Sequence, residues 1–251
     1  MIDHSLSDKI APLANVMQII LQFTQKSRAK IMTNSHDLII RTLGMIDYQK
    51  TWENMRDFTD SRNENTVDEI WALQHPPVFT QGLAGKPEHV LNPHHIPVIQ
   101  TDRGGQVTYH GPGQLVLYVL IDLKRKQLHA RDLVRKLEKS VIELLSELSI
   151  TASTQCNAPG VYVNDEKICS IGLRIRKGSS YHGIALNVDM DLTPFLYINP
   201  CGYQGMKMTQ IKTLNPSASF DTIKTAIVPA IMKNFGYNRP YSTLEPWHVS
   251  K

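Results

Sequence analysis

Two stretches of this chain have the clearest hydrophobic patterns. Between residues 130 and 150, apolar side chains recur at Leu133, Leu137, Val141, Leu144 and Leu148, which is the spacing of one face of an amphipathic helix. Residues 115–121 are instead continuously apolar and follow a glycine-rich stretch, which predicts a strand that is buried on both faces.

Shorter patterns fill in the rest of the chain. A helix is predicted after Asp47, a possible cap, and a second one at 221–235 with a kink at Pro229. Strands are predicted at 38–43, 70–73, 97–100, 161–163, 167–175 and 184–188, with a turn at 164–166. Hairpins mixed with crossover helices predict an α/β or α+β domain built on mixed β-sheets with flanking helices.

The strand at 167–175 places a lysine in an unusual position. Strict alternation puts Lys167, Cys169 and Ile171 on one face and Ser170 and Gly172 on the other. Lys167 would then share the apolar side, where burial lowers a lysine pKa unless an anion lies beside it. The alternative is that Lys167 lies at the strand end and extends its ammonium group to water.

Residues 103–114 predict a ligand-binding loop. The stretch holds four glycines and Pro112, which allow positive φ angles and a close approach of the backbone to a ligand, and it leads directly into the buried strand. A glycine-rich hairpin beside a core strand is the plainer interpretation.

Composition is that of a globular protein, with 41% hydrophobic and 20% charged residues in 251. One domain at 36–251 is expected, preceded by a loosely packed leader at 1–35, and Met32 is a second possible start. Three cysteines without a C-x-x-C pair favour a reducing, cytoplasmic setting. No apolar run is long enough for a membrane span, and none is followed by a signal-peptide cleavage site.

The formal net charge of +4 is too small to predict nucleic-acid binding, but it is locally concentrated. Seven basic residues lie between Lys124 and Lys139, and Arg174, Arg176 and Lys177 follow later. This basic patch suits acidic protein partners, although a solvated helix face would have the same composition.

Cys201 is the cysteine with the most telling neighbours, because Pro200 fixes φ before it and Gly202 frees φ after it. Such a turn presents a side chain, whereas Cys169 inside a strand is expected to be packed and inert.

Other catalytic patterns are missing from the sequence. It has no phosphate-binding G-x-x-x-x-G-K-[ST] loop, no G-x-S-x-G elbow and no H-E-x-x-H motif. His89, His94 and His95 lack partner ligands at metal-binding spacing, so neither a metal nor another cofactor is expected.

Six blocks in order resemble the lipoyl(octanoyl) transferase family over residues 38–235. They are 75–82 (HPPVFTQG), 103–114 (RGGQVTYHGPGQ), 159–163 (PGVYV), 167–174 (KICSIGLR), 182–187 (HGIALN) and 199–202 (NPCG). The resemblance implies a fold similar to that of the catalytic domains of biotin and lipoate protein ligases.

The resemblance also implies a site. Cys201 is the nucleophile that accepts the acyl group as a thioester, and Lys167 is its partner, stabilising the thiolate and acting as general acid and base. The acyl pocket is assigned to Arg103, Gly104, Gly105, Gln106, Val107, Thr108, Tyr109, His110, Ser170, Ile171, Gly172, Gly183, Ile184 and Ala185.

The implied reaction moves an octanoyl group from octanoyl-acyl carrier protein to a lysine amine. The implied acceptors are the lipoyl domains of 2-oxoacid dehydrogenase E2 subunits and the glycine cleavage H protein. We expect a monomeric enzyme without a nucleic-acid partner. An ATP-dependent lipoate or biotin protein ligase on the same fold is the main alternative, and a catalytically inactive module that only docks lipoyl domains is a third possibility.

Overall fold

The computed structural model of the chain describes residues 37–244. The predicted leader at 1–35 lies outside the described residues. Within 37–244 the strands are β1 (Asp37–Met45), β2 (Asp68–Gln74), β3 (Val78–Gln81), β4 (Val98–Gln100), β5 (Val107–His110), β6 (Gln114–Leu120), β7 (Ser153–Gln155), β8 (Ala158–Val163), β9 (Glu166–Arg176), β10 (Ser179–Asn187) and β11 (Arg239–Thr243).

Residues 37–244 contain four α-helices. They are α1 (Tyr48–Ser61), α2 (Ala130–Glu147), the single turn α3 (Ile211–Leu214) and α4 (Phe220–Phe235). The side chain of Asp47 accepts a hydrogen bond from the backbone N–H of Lys50 at 2.9 Å, which confirms it as the cap of α1. Gly236 ends α4 in the left-handed conformation, with φ at 69°.

The strands form two sheets. The larger has the order β11-β1-β2-β6-β10-β9-β8-β7, in which β1 runs parallel to β2 and β11, while the other neighbours are antiparallel. The smaller sheet has the order β4-β3-β5. Every residue of β6 is buried at the centre of the large sheet, as the continuous apolar run predicts.

Helices cover both faces of the large sheet. On one face Leu137 of α2 and Ile227 of α4 share the main core with Leu117 of β6. On the other face Met55 of α1 packs in a second cluster that contains Trp71 of β2. The predicted α/β (α+β) architecture of mixed sheets flanked by helices is therefore confirmed.

Within residues 37–244, no helix is both long enough and apolar enough to cross a membrane.

Candidate active site

The centre of the site is a lysine that contacts a cysteine. Lys167, the second residue of β9, is 1% exposed, and its Nζ lies 3.1 Å from Sγ of Cys201. The same ammonium group donates a second hydrogen bond to the carbonyl oxygen of Pro159 at 3.2 Å. Two residues separated by 34 positions thus form one buried, charge-assisted contact.

The backbone after Cys201 explains how the two residues meet. The backbone N–H of Lys167 donates to the carbonyl of Lys207, and the N–H of Thr209 donates to the carbonyl of Lys167, at 2.9 and 3.0 Å. This short parallel pairing places the segment that follows Cys201 beside the start of β9.

Cys201 itself sits in a tight turn at Pro200–Gly202. Its φ of 56° and ψ of 16° fall in the left-handed region, which costs free energy for a residue with a Cβ. The turn is closed by a hydrogen bond from the N–H of Gly202 to the carbonyl of Asn199 at 2.9 Å. Cys201 is half-buried, so its sulfur faces both the protein interior and the cavity described below.

A bulge in β9 decides which way Lys167 points. The neighbours Val161 and Tyr162 of β8 pair with Cys169 and Lys167, so Ile168 is an extra residue between these two described strands. The bulge brings both Ile168 and Cys169 into the main core and turns Lys167 to the face of Tyr162. The prediction that Lys167 shares a face with Cys169 is therefore wrong, because a bulge interrupts strict alternation.

Two opposing effects act on the pKa of Lys167. Burial is the largest single effect and lowers it, but the charge of the Cys201 sulfur, the hydrogen bond to that sulfur and the contact with Tyr162 together raise it by more, so the pKa lies above the usual lysine value. Burial raises the pKa of the Cys169 thiol to about 12, which leaves that thiol protonated. The predicted difference between an inert Cys169 and a presented Cys201 agrees with their surroundings.

A cavity of about 610 Å³ opens beside Cys201 and Lys167. Its lining includes nearly all of the predicted pocket residues, namely Arg103, Gly104, Gly105, Gln106, Val107, Thr108, His110, Ser170, Ile171, Gly172, Gly183, Ile184 and Ala185. Tyr109 is the exception, because it is not part of this lining and packs against Phe79 and Phe195 instead. The predicted loop and the two strands therefore converge on one cavity, and only Tyr109 turns away from it.

Glycines allow this wall to form. A Cβ at Gly183 would lie 1.9 Å from the carbonyl oxygen of Leu117, so only glycine permits the close pairing of β10 with β6. Gly105 has a φ of 86°, which lets the loop turn back toward β3.

Arg103 places a guanidinium group in the cavity wall. Its Nη2 donates to the carbonyl oxygen and the Oγ1 of Thr80 at 2.6 and 2.9 Å, and its Nη1 donates to the carbonyl of Gly104 at 3.0 Å. No carboxylate within the described residues lies in ion-pair range of it, and burial lowers its pKa.

Buried histidines lie next to the cavity. His75 donates from Nδ1 to the carbonyl of Ile46 at 2.6 Å and accepts at Nε2 from the hydroxyl of Tyr118 at 2.7 Å. His110 bonds through Nδ1 to Oε1 of Gln114 at 2.7 Å. Burial lowers the pKa of His75 to about 4 and that of His110 well below its usual value, so both rings are neutral near pH 7.

Asp102 organises a third histidine. Its carboxylate accepts hydrogen bonds from Nε1 of Trp52 at 2.8 Å, from Nε2 of His182 at 3.0 Å and from the hydroxyl of Tyr181. Burial lowers the pKa of His182, although Asp102 opposes this shift. The sequence patterns singled out neither Asp102 nor His75, and the only available signals were their positions beside the glycine loop and in the HPPVFTQG block.

No metal site is predicted in the 89–95 loop, and two of its histidines contact other side chains. His89 lies 3.4 Å from the amide of Asn199 through Nδ1, and His94 packs edge-on against the ring of Tyr197. Among residues 37–244, no group of three or more histidine, cysteine, aspartate or glutamate side chains is arranged to hold a metal ion.

Similarity to known proteins shows the family to which this chain belongs. The model of the lipoyl protein ligase A/B catalytic domain matches residues 47–232. An octanoyltransferase from Coxiella burnetii is 59% identical over 211 residues, which cover 84% of this chain and 87% of the relative. An octanoyltransferase from a Marinomonas species is 56% identical over 204 residues, covering 81% of this chain and 95% of the relative.

Solved structures agree on the fold. A lipoate-protein ligase A bound with ATP aligns with a TM-score of 0.69 at 15% identity, covering 82% of this chain and 89% of the other. A bipartite lipoate protein ligase from Thermoplasma acidophilum aligns with a TM-score of 0.67 at 14% identity, covering 83% and 87%. At this level of identity the similarity concerns the fold alone.

Proposed function

The chain belongs to the octanoyltransferases within the lipoyl protein ligase A/B catalytic domain family and is an acyltransferase, and we propose that it carries the octanoyl group on Cys201 between two protein substrates. The proposed donor is octanoyl-acyl carrier protein. The proposed acceptors are lysine side chains of the lipoyl domains of 2-oxoacid dehydrogenase E2 subunits and of the glycine cleavage H protein.

The contact of 3.1 Å between Nζ of Lys167 and Sγ of Cys201 carries this proposal. A thiolate is the nucleophilic form of cysteine, and an ammonium group at this distance stabilises it. The cavity beside the sulfur provides space for the acyl group.

In the first half-reaction, the Cys201 thiolate attacks the carbonyl carbon of the donor thioester. A new carbon–sulfur bond forms to Cys201, and the bond to the carrier sulfur breaks. The carrier leaves as a thiolate and takes a proton from the ammonium group of Lys167. The products are acylated Cys201, a free carrier thiol and a neutral Lys167.

In the second half-reaction, the amine of the acceptor lysine attacks the Cys201 thioester. Acylation has removed the anion that raises the pKa of Lys167, and burial then favours its neutral amine. That amine accepts the proton released by the attacking nitrogen, and Cys201 leaves as a thiolate. Because an amide is more stable than a thioester, the overall transfer needs no ATP.

The cavity wall supports both steps. Val116, Ile171, Ile184 and Ala185 present apolar side chains to an octanoyl chain. The glycines of the loop let backbone N–H groups approach the carbonyl oxygen as it gains negative charge, and one such donor is worth about 3 kcal/mol. His110, which lies on the same wall, is a candidate for holding the incoming amine.

Much of the predicted basic patch already has partners within the described chain. Arg125 pairs with Asp68, and Arg176 and Lys177 both pair with Asp60. Lys126 and Lys136 donate to backbone carbonyls at the end of α4.

Four further residues of the patch are exposed, namely Lys124, Arg131, Arg135 and Lys139. Arg131 and Arg135 lie in the first turns of α2. Ala130 and Val134, their neighbours on the helix, line the cavity. We propose that this stretch of α2 receives the acidic surface of a protein substrate.

Incubation with octanoyl-acyl carrier protein, followed by intact-mass measurement, tests the central proposal. We expect the mass of one octanoyl group to be added, to be removed by hydroxylamine, and not to be added to Cys201→Ala. No added mass, or unchanged labelling of the variant, would overturn the proposal. Labelling that requires ATP and free octanoate would support the ligase alternative instead.

A further inference from the structure

One buried carboxylate near the site has no role in the steps above. Glu138, on the inner side of α2, is 9% exposed, and its Oε1 accepts a hydrogen bond from the backbone N–H of Gly160 at 3.0 Å. Among the described residues, no lysine, arginine or histidine nitrogen lies within ion-pair distance of it. Burying a carboxylate without a cation costs free energy, so a glutamate at this position needs a structural or functional explanation.

The peptide unit that donates to Glu138 also contacts Lys167. The amide that joins Pro159 to Gly160 offers its N–H to Glu138 and its carbonyl to Nζ of Lys167, at 3.0 and 3.2 Å. The described chain contains no cis peptide bond, so this N–H and this carbonyl point in opposite directions. The peptide therefore lies between the carboxylate and the ammonium group.

Close packing holds this arrangement in place. Gly160 has a φ of 140°, and a Cβ there would lie 2.5 Å from the carbonyl oxygen of Cys169 and 3.0 Å from Cε of Lys167. Only glycine brings the peptide this close to the lysine side chain. Hydrogen bonds in a chain polarise one another, so a negative charge at the N–H makes the Pro159 carbonyl a better acceptor.

We propose that Glu138 is a positioning residue for Lys167 and acts through the peptide between Pro159 and Gly160. It fixes the carbonyl that aims the ammonium group at Cys201, and its charge favours the ammonium form across the peptide. The inference rests on the proposed function, because the aim of Lys167 matters only if Lys167 serves Cys201.

Several other groups face Lys167 and remain in place when Glu138 is changed. Cys201 approaches it from the Pro200–Gly202 turn, and Tyr162 approaches from β8 with its ring centre 5.2 Å from Nζ. Cys169 lies on the same strand, and the segment paired with the start of β9 carries the exposed Lys207. Glu138 adds a carboxylate from α2 to these groups. Replacing it with a neutral residue removes one negative charge and so makes the ammonium form of Lys167 less favourable.

Glu138→Gln separates charge from hydrogen bonding, since its amide oxygen still accepts from Gly160. The readout is the rate of amide formation by pre-acylated enzyme as a function of pH, which reports the deprotonation of Lys167. Without the carboxylate, the ammonium form is less favoured, so the profile moves to lower pH by about half a unit to one unit. Glu147→Gln, the same change at an exposed position of α2, leaves the profile in place.

Glu138→Leu removes the acceptor as well, and we expect kcat to fall about 10-fold or more while KM for the carrier stays constant. An unshifted pH profile in Glu138→Gln would overturn the inference, as would a loss in Glu138→Leu confined to KM. If wild-type enzyme forms no acyl-enzyme, the proposed function fails. If it does and the Gln profile is unshifted, only the role of Glu138 fails.

Discussion

The buried histidines predict that the fold becomes less stable as the solution becomes mildly acidic. His75 is 0% exposed, both of its ring nitrogens are hydrogen-bonded, and its pKa is held at about 4 by burial. In the unfolded chain the same ring titrates near its ordinary pKa of about 6.5. The unfolded state therefore binds a proton first, and stability decreases as the pH falls from the unfolded value toward the folded one.

The size of this effect follows from the two pKa values. Between about pH 7.5 and about pH 5, proton binding to His75 in the unfolded state costs about 2 kcal/mol of folding free energy. His110 and His182, whose pKa values burial also lowers, add losses of the same sign. Asp60, with a pKa of about 2, adds little there because aspartates titrate below this window.

Urea unfolding, followed by tryptophan fluorescence at several pH values, measures the effect. His75→Asn keeps a donor toward Ile46 but cannot titrate, so its stability should depend less on pH than that of the wild type, by about 2 kcal/mol over the window. His95→Asn, at an exposed position, serves as the matched control and should follow the wild type. Equal pH dependence of wild type and His75→Asn would refute the reasoning.

Three further predictions concern catalysis and the thiols. Lys167→Arg keeps a positive charge but cannot deprotonate, so we expect acyl-enzyme to form while single-turnover amide formation falls at least about 100-fold. Equal rates of amide formation in the variant and the wild type would exclude the base role. Replacing both Arg131 and Arg135 with glutamate should lower kcat/KM for the carrier by about 10-fold, leave kcat intact and flatten the dependence on ionic strength, whereas an unchanged salt dependence would place docking elsewhere. Iodoacetamide in native buffer should alkylate Cys201 and spare Cys169, whose pKa is about 12, and peptide mapping that finds both modified would contradict the assigned surroundings.

The regular parts of the fold were predictable from local patterns. The apolar stripe of α2, the doubly buried β6 and the Asp47 cap of α1 are signalled within a few residues each. No local pattern predicts the strand at Val78–Gln81, because four residues after two prolines are too few to show a period. No pattern predicts β11 either, whose parallel pairing with β1 joins the two ends of the described chain.

The site was predictable in part. The context of Cys201 indicated a presented thiol, and the resemblance joined it to Lys167, which the structure brings to the same sulfur. The orientation of Lys167 depends on the bulge at Ile168, which no local pattern marks. The resemblance places Tyr109 in the pocket with its neighbours, but its ring packs between Phe79 and Phe195 in the core.

Local sequence patterns do not predict polar contacts between residues that are far apart in the chain. Glu138 and Gly160 are 22 positions apart, and His75 and Tyr118 are 43 apart. Partners at such distances are chosen by tertiary packing, and a single sequence does not reveal which residues will pair.

The most direct test of a covalent octanoyl carrier is the behaviour of isolated acyl-enzyme. Enzyme octanoylated on Cys201 is freed of carrier protein and mixed with a lipoyl domain in a rapid-quench experiment. We predict that octanoyl leaves Cys201 and appears on the acceptor lysine at a rate no slower than steady-state turnover. Acyl-enzyme that is inert toward the acceptor, or that transfers more slowly than turnover, would contradict the account.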